Sequence, residues 1–319
     1  MSRAGNMPPG DWAAAMRAGA YEEAWSYCGA LLAARDPATR DDPTLPYHLR
    51  WVWDGRPFDA QSVLVRCYHG LGDTLQFARF LPLLAARAAR VTVVAQPCLA
   101  PLLRRAFPGI TIHPFDPARP LPPAACDLEI GELPFALRAR PGDARADWAS
   151  AIPDPLHRGA IGLCHAAGEW DPDRSLPERL LAPIAAAHRC ITLVAAPSGL
   201  PVDNPAGCPL DMERTAALVA GCAQVVTVDT MIAHLAGALG RPVLLLLKAE
   251  PDWRWNPAAR VSDWYPATRL FPQSRPGDWS RPVAAIVRAL APRPAKETPS
   301  WPASPRLPSP SPGVNCSTS

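Results

Sequence analysis

Two short stretches of this chain gather glycine, carboxylate, hydroxyl and imidazole groups where an apolar run gives way to a helical pattern. The first is His69-Gly70-Leu71-Gly72-Asp73-Thr74, directly after the apolar run Ser62–Cys67. Gly70 and Gly72 let the backbone approach a ligand closely. The N–H groups opening the next helix are free to meet an anion or a polar substrate. It is not the dinucleotide fingerprint, because Leu75 stands where G-x-G-x-x-G requires its last glycine. Two readings are open to Asp73: an N-cap for the helix N–H groups and dipole, or a catalytic carboxylate.

The second stretch is Val228-Asp229-Thr230-Met231-Ile232-Ala233-His234, closing the run Gln224–Val228. His234 follows Thr230 by one helical turn and shares its face. Free N–H groups at such a helix start suit a diphosphate, and the histidine adds a donor. The plainer alternative is an N-cap followed by a half-buried helix histidine. The residues alone leave both open.

Strands ending at these two places would position the groups, and the sequence supplies them. Strand-like runs Ser62–Cys67, Val91–Ala95, Ile110–His113 and Asp127–Ile130 alternate with helical stretches Thr74–Ala89 and Leu99–Ala106. After the Pro/Arg-rich seam Arg138–His157 the pattern restarts with strands Ala160–Cys164, Cys190–Ala195, Gln224–Val228 and Val243–Leu247. Helical stretches Leu176–Ala187, Met212–Gly221 and Met231–Leu239 lie among them. Short apolar strands alternating with helices predict α/β architecture with parallel, helix-covered sheets. Two such units predict Rossmann-like domains facing a cleft, with ligands outside the carboxyl ends of the strands. We divide the chain into an N-terminal helical segment (1–50), a first Rossmann-like domain (51–150), a second (151–291) and a Pro/Ser-rich tail (292–319).

In the first segment, Asp11–Arg35 has helical spacing interrupted at Gly19, predicting a two-helix hairpin that must pack on the rest of the chain. The tail, PRPAKETPSWPASPRLPSPSPGVNCSTS, lacks periodic apolar residues and is expected to be disordered. With 32 Lys+Arg against 29 Asp+Glu and no basic run, the chain shows no nucleic-acid footprint. No run approaches the ~18 apolar residues of a membrane span. The N-terminus lacks the pattern of a signal peptide. Nine scattered cysteines without a C-x-x-C pair read as reduced thiols in a cytosolic protein.

The runs GLGDTLQFARFLPLLAARAARVTVVAQP and VVTVDTMIAHLAGALGRPV together resemble glycosyltransferases related to ADP-heptose:lipopolysaccharide heptosyltransferases, glycosyltransferase family 9. The resemblance is closer still to the tetratricopeptide-linked proteins whose C-terminal half carries that domain. It extends over roughly Trp53–Leu290 and includes the blocks EPDWRW (Glu250–Trp255), DWYP (Asp263–Pro266) and RPGDW (Arg275–Trp279). It implies a GT-B fold, with an acceptor domain first and a nucleotide-sugar domain second. The implied reaction is inverting and metal-independent sugar transfer to a hydroxyl, with no cofactor. The Gly-Asp of the first turn, here Gly72-Asp73, would supply the general base. Asp229, Thr230, Met231 and His234 would hold the nucleotide diphosphate and sugar. The basic residue facing a phosphate would be Arg174 or its neighbour Ser175. The donor would be a nucleotide sugar, ADP-linked among the candidates, and the acceptor a saccharide, a lipid-linked molecule or a protein. The implied location is the cytoplasm or the inner face of the membrane.

Several residues depart from that pattern. Asp171-Pro172-Asp173 spells D-x-D, but in a Pro-containing loop where a plain turn accounts for it. Met231 stands where heptosyltransferases commonly carry glycine. Lys248-Ala249-Glu250 replaces the expected apolar or proline residues, with Glu250 placed either at a ribose or in solvent. Trp253, Trp255, Trp264 and Trp279 are expected to wrap back over the first domain as packing. A non-catalytic nucleotide-sugar- or partner-binding module is the competing reading, favoured if Asp73 serves as a buried cap. An epimerase or hydrolase would need another acid–base group in the cleft, where His69 is the nearby candidate.

Overall fold

The computed structural model describes residues 10–291, so the Pro/Ser-rich tail lies outside the described residues. Helices α1 (Gly10–Arg17) and α2 (Tyr21–Ala34) form the expected hairpin. It turns at Gly19, whose φ of +71° lies in the left-handed region that glycine adopts without penalty.

The first sheet follows. Its elements are β1 (Ser62–Arg66), α3 (Leu71–Phe77), α4 (Leu81–Ala85), β2 (Arg90–Ala95), α5 (Ala100–Ala106), β3 (Thr111–Pro114), β4 (Cys126–Glu129) and α6 (Leu133–Leu137). All its pairings are parallel, in the order β3-β2-β1-β4. The single helix expected over Thr74–Ala89 is divided instead. A 3₁₀ turn at Ala78–Phe80 separates α3 from α4, and Pro82 sits in the first turn of α4, where its missing N–H costs nothing.

The second sheet contains β5 (Ile161–Cys164), α7 (Ala182–Ala187), β6 (Cys190–Thr192), α8 (Met212–Gly221), β7 (Gln224–Val228), α9 (Met231–Ala238), β8 (Val243–Leu247), β9 (Thr268–Pro272) and α10 (Ser280–Leu290). Its order is β6-β5-β7-β8-β9, again parallel throughout. The strands β5, β7 and β8 are almost wholly buried, which explains their unbroken apolar runs. Strand β9 and helix α10 were not among the sequence expectations. In α10, Pro282, Val283 and Ile286 form a buried stripe at helical spacing.

Both sheets change direction of growth beside their first strand. The chain builds β2 and β3 on one side of β1 and then crosses to place β4 on the other. It likewise places β6 on one side of β5 and crosses to β7. Such a reversal opens a crevice at the carboxyl ends of the two diverging strands. The turn after β1 and the turn after β7 both lie at these crevices. The GT-B-like arrangement of two Rossmann-like units expected from the sequence is therefore present, and α3 packs directly on α9 to bring the crevices together.

Candidate functional site

The two turns share one cleft of about 1320 Å³ between the sheets. They pack against each other at Gly72. A Cβ there would lie 2.9 Å from Cδ2 of His234 and 3.7 Å from Cα of Met231. The second glycine of the first turn is thus what lets α3 and α9 meet.

Asp73 caps its helix and also lines the cleft. The Gly70 N–H donates to its Oδ2 at 3.0 Å, so the side chain caps α3. Its Oδ1 pairs with the Arg254 guanidinium, which reaches over from the chain after β8. The side chain is 25% exposed and lines the cleft. The carboxylate is therefore a cap that faces the second turn, not one buried away from it.

Arg254 organises the junction. It donates to Asp73, to Oε1 of Gln76 and, at 2.8 Å, to Oδ1 of Asp252. Its guanidinium lies over the Trp253 ring at 4.6 Å from the centroid. Burial would weaken its charge, but the carboxylates of Asp252, Asp73 and Asp229 outweigh that and raise its pKa. Asp229 is itself buried. Burial and the charge of Asp252 push its carboxyl up to about 6, against the opposing pull of Arg254 and Arg174.

Thr230 takes the N-cap position of α9 without a side-chain capping bond, and both Thr230 and Met231 line the cleft. His234 is more enclosed than the sequence suggested. Its Nδ1 is 3.1 Å from the Tyr265 hydroxyl and its ring stacks on Trp255 at 5.6 Å. Burial, with Arg254 nearby, lowers its pKa to about 3, so at neutral pH it offers a hydrogen bond and no charge.

Arg174 points to the second turn, its Nη1 donating to the Asp229 carbonyl at 3.0 Å. Ser175 does not reach the cleft. Its Oγ accepts from the Ala167 N–H at 2.9 Å and closes its own loop. Asp171, first residue of the D-x-D string, holds Lys248 at 2.8 Å and approaches Arg174 at 3.7 Å. Glu250 is exposed at the cleft edge. Among the described residues, no group of three or more His, Cys, Asp or Glu is placed to hold a metal ion.

On the side of the first sheet, His69 stands 3.0 Å through Nδ1 from Oε1 of Glu129, the last residue of β4. Burial alone would depress the imidazole, but the Glu129 charge and contact prevail and raise it to about 9. A cationic histidine therefore stands in the same cleft as Asp73. The hairpin closes this end. Trp25, Cys28 and Leu31 of α2 and Arg35 just after it line the cleft, while Arg17 donates to the Pro251 carbonyl at 2.9 Å.

The tryptophans divide in their packing. Trp253 and Trp264 reach Phe77 of α3, as expected of a block wrapping over the first sheet. Trp279 instead joins the core beneath α10. Residue spacing missed Arg254, Asp252, Glu129 and Asp171 as parts of the site. The PDWRW block carried a signal for the first two: a cation between an acid and two large rings is seldom left to solvent.

The family model described as Glycosyltransferase family 9 (heptosyltransferase) matches residues 206–263, which include the second turn and Arg254. E. coli heptosyltransferase WaaC with ADP-2-deoxy-2-fluoro heptose is similar at 14% identity with a TM-score of 0.49, over 72% of this chain and 98% of that chain. A glycosyl transferase family 9 structure from Veillonella parvula is similar at 11% identity with a TM-score of 0.48, over 68% and 87%. The iron-containing dodecameric heptosyltransferase TibC, in complex with ADP-D-β-D-heptose, is similar at 14% identity with a TM-score of 0.43. The match takes in 60% of this chain and spans 59% of the length of that TibC chain, so its length is only partly represented here. No curated protein sequence matches the chain.

Proposed function

We propose that this chain is a glycosyltransferase that moves a sugar from a nucleotide-sugar donor to an acceptor hydroxyl, with inversion and without a metal. One observation carries the proposal: Asp73 and the Asp229–His234 turn, from two different sheets, line a single cleft and are linked through Arg254. Residues 51–150 would form the acceptor domain and 151–291 the donor domain. The N-terminal hairpin is read as one tetratricopeptide-like unit.

The chemistry needs few parts. The acceptor hydroxyl attacks the anomeric carbon from the face opposite the diphosphate, while Asp73 takes its proton. The bond from that carbon to the phosphate oxygen breaks, and its electron pair leaves with the nucleoside diphosphate. Arg174 and the free N–H groups opening α9 meet the charge that develops there. Neutral His234 donates one hydrogen bond. The proposed donor is a nucleotide sugar, ADP-linked among the candidates, and the acceptor a saccharide, a lipid-linked molecule or a protein. The proposed location is the cytoplasm or the inner face of the membrane. The eight described cysteines are all free thiols, which suits a reducing compartment. No described helix is long and apolar enough to cross a membrane.

A binding module without turnover is the second reading, and one feature favours it: both oxygens of Asp73 already accept hydrogen bonds. Melting the protein against a panel of nucleotide sugars, then assaying transfer with any that bind, tests the proposal. A ligand at about 100 times its Kd should add roughly 2.7 kcal/mol of stability. A panel in which nothing shifts the melting temperature would remove the donor site. A ligand that binds tightly yet never transfers its sugar would leave the binding module.

A further inference from the structure

We propose that Lys248 is a donor-binding residue, its ammonium shared between Asp171 and the diphosphate of the nucleotide sugar. The inference rests on the donor-site reading above and adds to it a residue outside the two turns.

Lys248 and Lys296 are the only lysines in the chain, and only the first lies among the described residues. Lys248 follows β8 directly. Because Val228 of β7 is paired with Leu246 of β8, the lysine emerges beside the Asp229–Thr230 turn. Its Nζ lies 2.8 Å from Oδ2 of Asp171, and its side chain is 27% exposed in the cleft wall. Asp171 in turn approaches Nε of Arg174 at 3.7 Å, and Arg174 donates to the Asp229 carbonyl. The D-x-D string is thus no bare turn: its first carboxylate spaces two cations along the rim of the second turn.

Charge and donor counts show what the cluster can hold. Two cations share the Asp171 carboxylate at the cleft wall, with Asp229 buried behind Arg174. An ammonium has three N–H donors, and Asp171 takes one of Lys248's. Fixing such a flexible stem for a partly exposed ion pair alone returns little stability. A diphosphate would use the remaining ammonium donors. Among groups near the cluster, Glu250 is exposed at the rim and Asp229 is buried below it.

The scarcity of lysine makes the test direct. ADP, GDP, UDP and CDP are each titrated calorimetrically into the full chain, and amine acylation is followed by peptide mapping with Lys296 as the internal reference. For a nucleotide that binds, we expect acylation of Lys248, but not Lys296, to slow on saturation. Lys248→Met should weaken binding by about tenfold or more, and Lys248→Arg should recover most of the loss. Melting temperatures confirm that both variants are folded. Binding to wild type and Lys248→Met with the same Kd, or acylation of Lys248 at its free rate, overturns the inference while leaving the donor site intact. If none of the four binds wild type, the donor-site reading falls and takes this inference with it.

Discussion

At the scale of single residues, the junction works through shared charge. Arg254 carries Asp73 and Asp252 together and stands close enough to Asp229 to affect it. Removing one partner from such a buried set leaves the others uncompensated, at a cost of roughly 3–5 kcal/mol. Arg254→Met should therefore lower both the melting temperature and the rate of sugar transfer. Arg254→Lys should recover only part, since a point charge cannot make three directed contacts. A variant with the stability and turnover of wild type would show that Arg254 is a bystander. Asp229 gives a pH-dependent outcome. Its carboxyl is raised to about 6, so its contribution to stability is full below the ordinary carboxylate range and is lost as pH rises through about 6. Asp229→Asn should then melt higher than wild type at neutral pH, by roughly 3 kcal/mol in stability, with the gap closing near pH 4. Melting curves across that range check it; a gap of the same size at both ends would contradict the burial argument.

At the scale of elements, the contact between α3 and α9 is what makes two sheets one site. It depends on the absence of a side chain at Gly72, where a Cβ would meet the His234 ring at 2.9 Å. His234 has little room to yield, because Trp255 and Tyr265 hold its ring. Gly72→Val should push α3 away from α9 and cut the transfer rate by more than its loss of stability explains. Comparing turnover with melting temperature reads the difference, and unaltered turnover would mean that the helices need not touch. The sequence showed β1, β2, β5, β7 and β8 because strands buried on both faces leave continuous apolar runs. It hid β9, whose TRLFP mixes an exposed arginine with apolar positions. The stripe Pro282–Val283–Ile286 in α10 was readable, but the dense tryptophans before it drew the reading toward loop packing. The hairpin of α1 and α2 was legible as two helices. Its place at the cleft was not, since Arg17 to Pro251 is a contact between distant parts of the chain.

At the scale of the whole molecule, two parallel sheets place their reversal points against each other, and the chain between them supplies the rest. The legible part of the site was the part that lies in sequence beside a strand end: Gly70, Gly72, Asp73, Asp229, Thr230 and His234. Asp73 still could not be resolved from sequence, because capping α3 and facing the second turn are compatible, and only the arrival of Arg254 shows that both occur. His69 was noticed without its partner Glu129, which comes from the neighbouring strand β4, distant in sequence. Ser175 was counted for its position; its hydroxyl oxygen accepts from the Ala167 N–H within its own loop. Proton transfer to Asp73 is the central step of the proposed reaction. The measurement closest to it is the transfer rate of Asp73→Asn at saturating nucleotide sugar, set beside its donor affinity. A general base contributes about 10²–10⁴-fold, so the rate should fall by that order while the donor Kd stays within about twofold. Transfer by Asp73→Asn as fast as wild type would contradict the account at its centre.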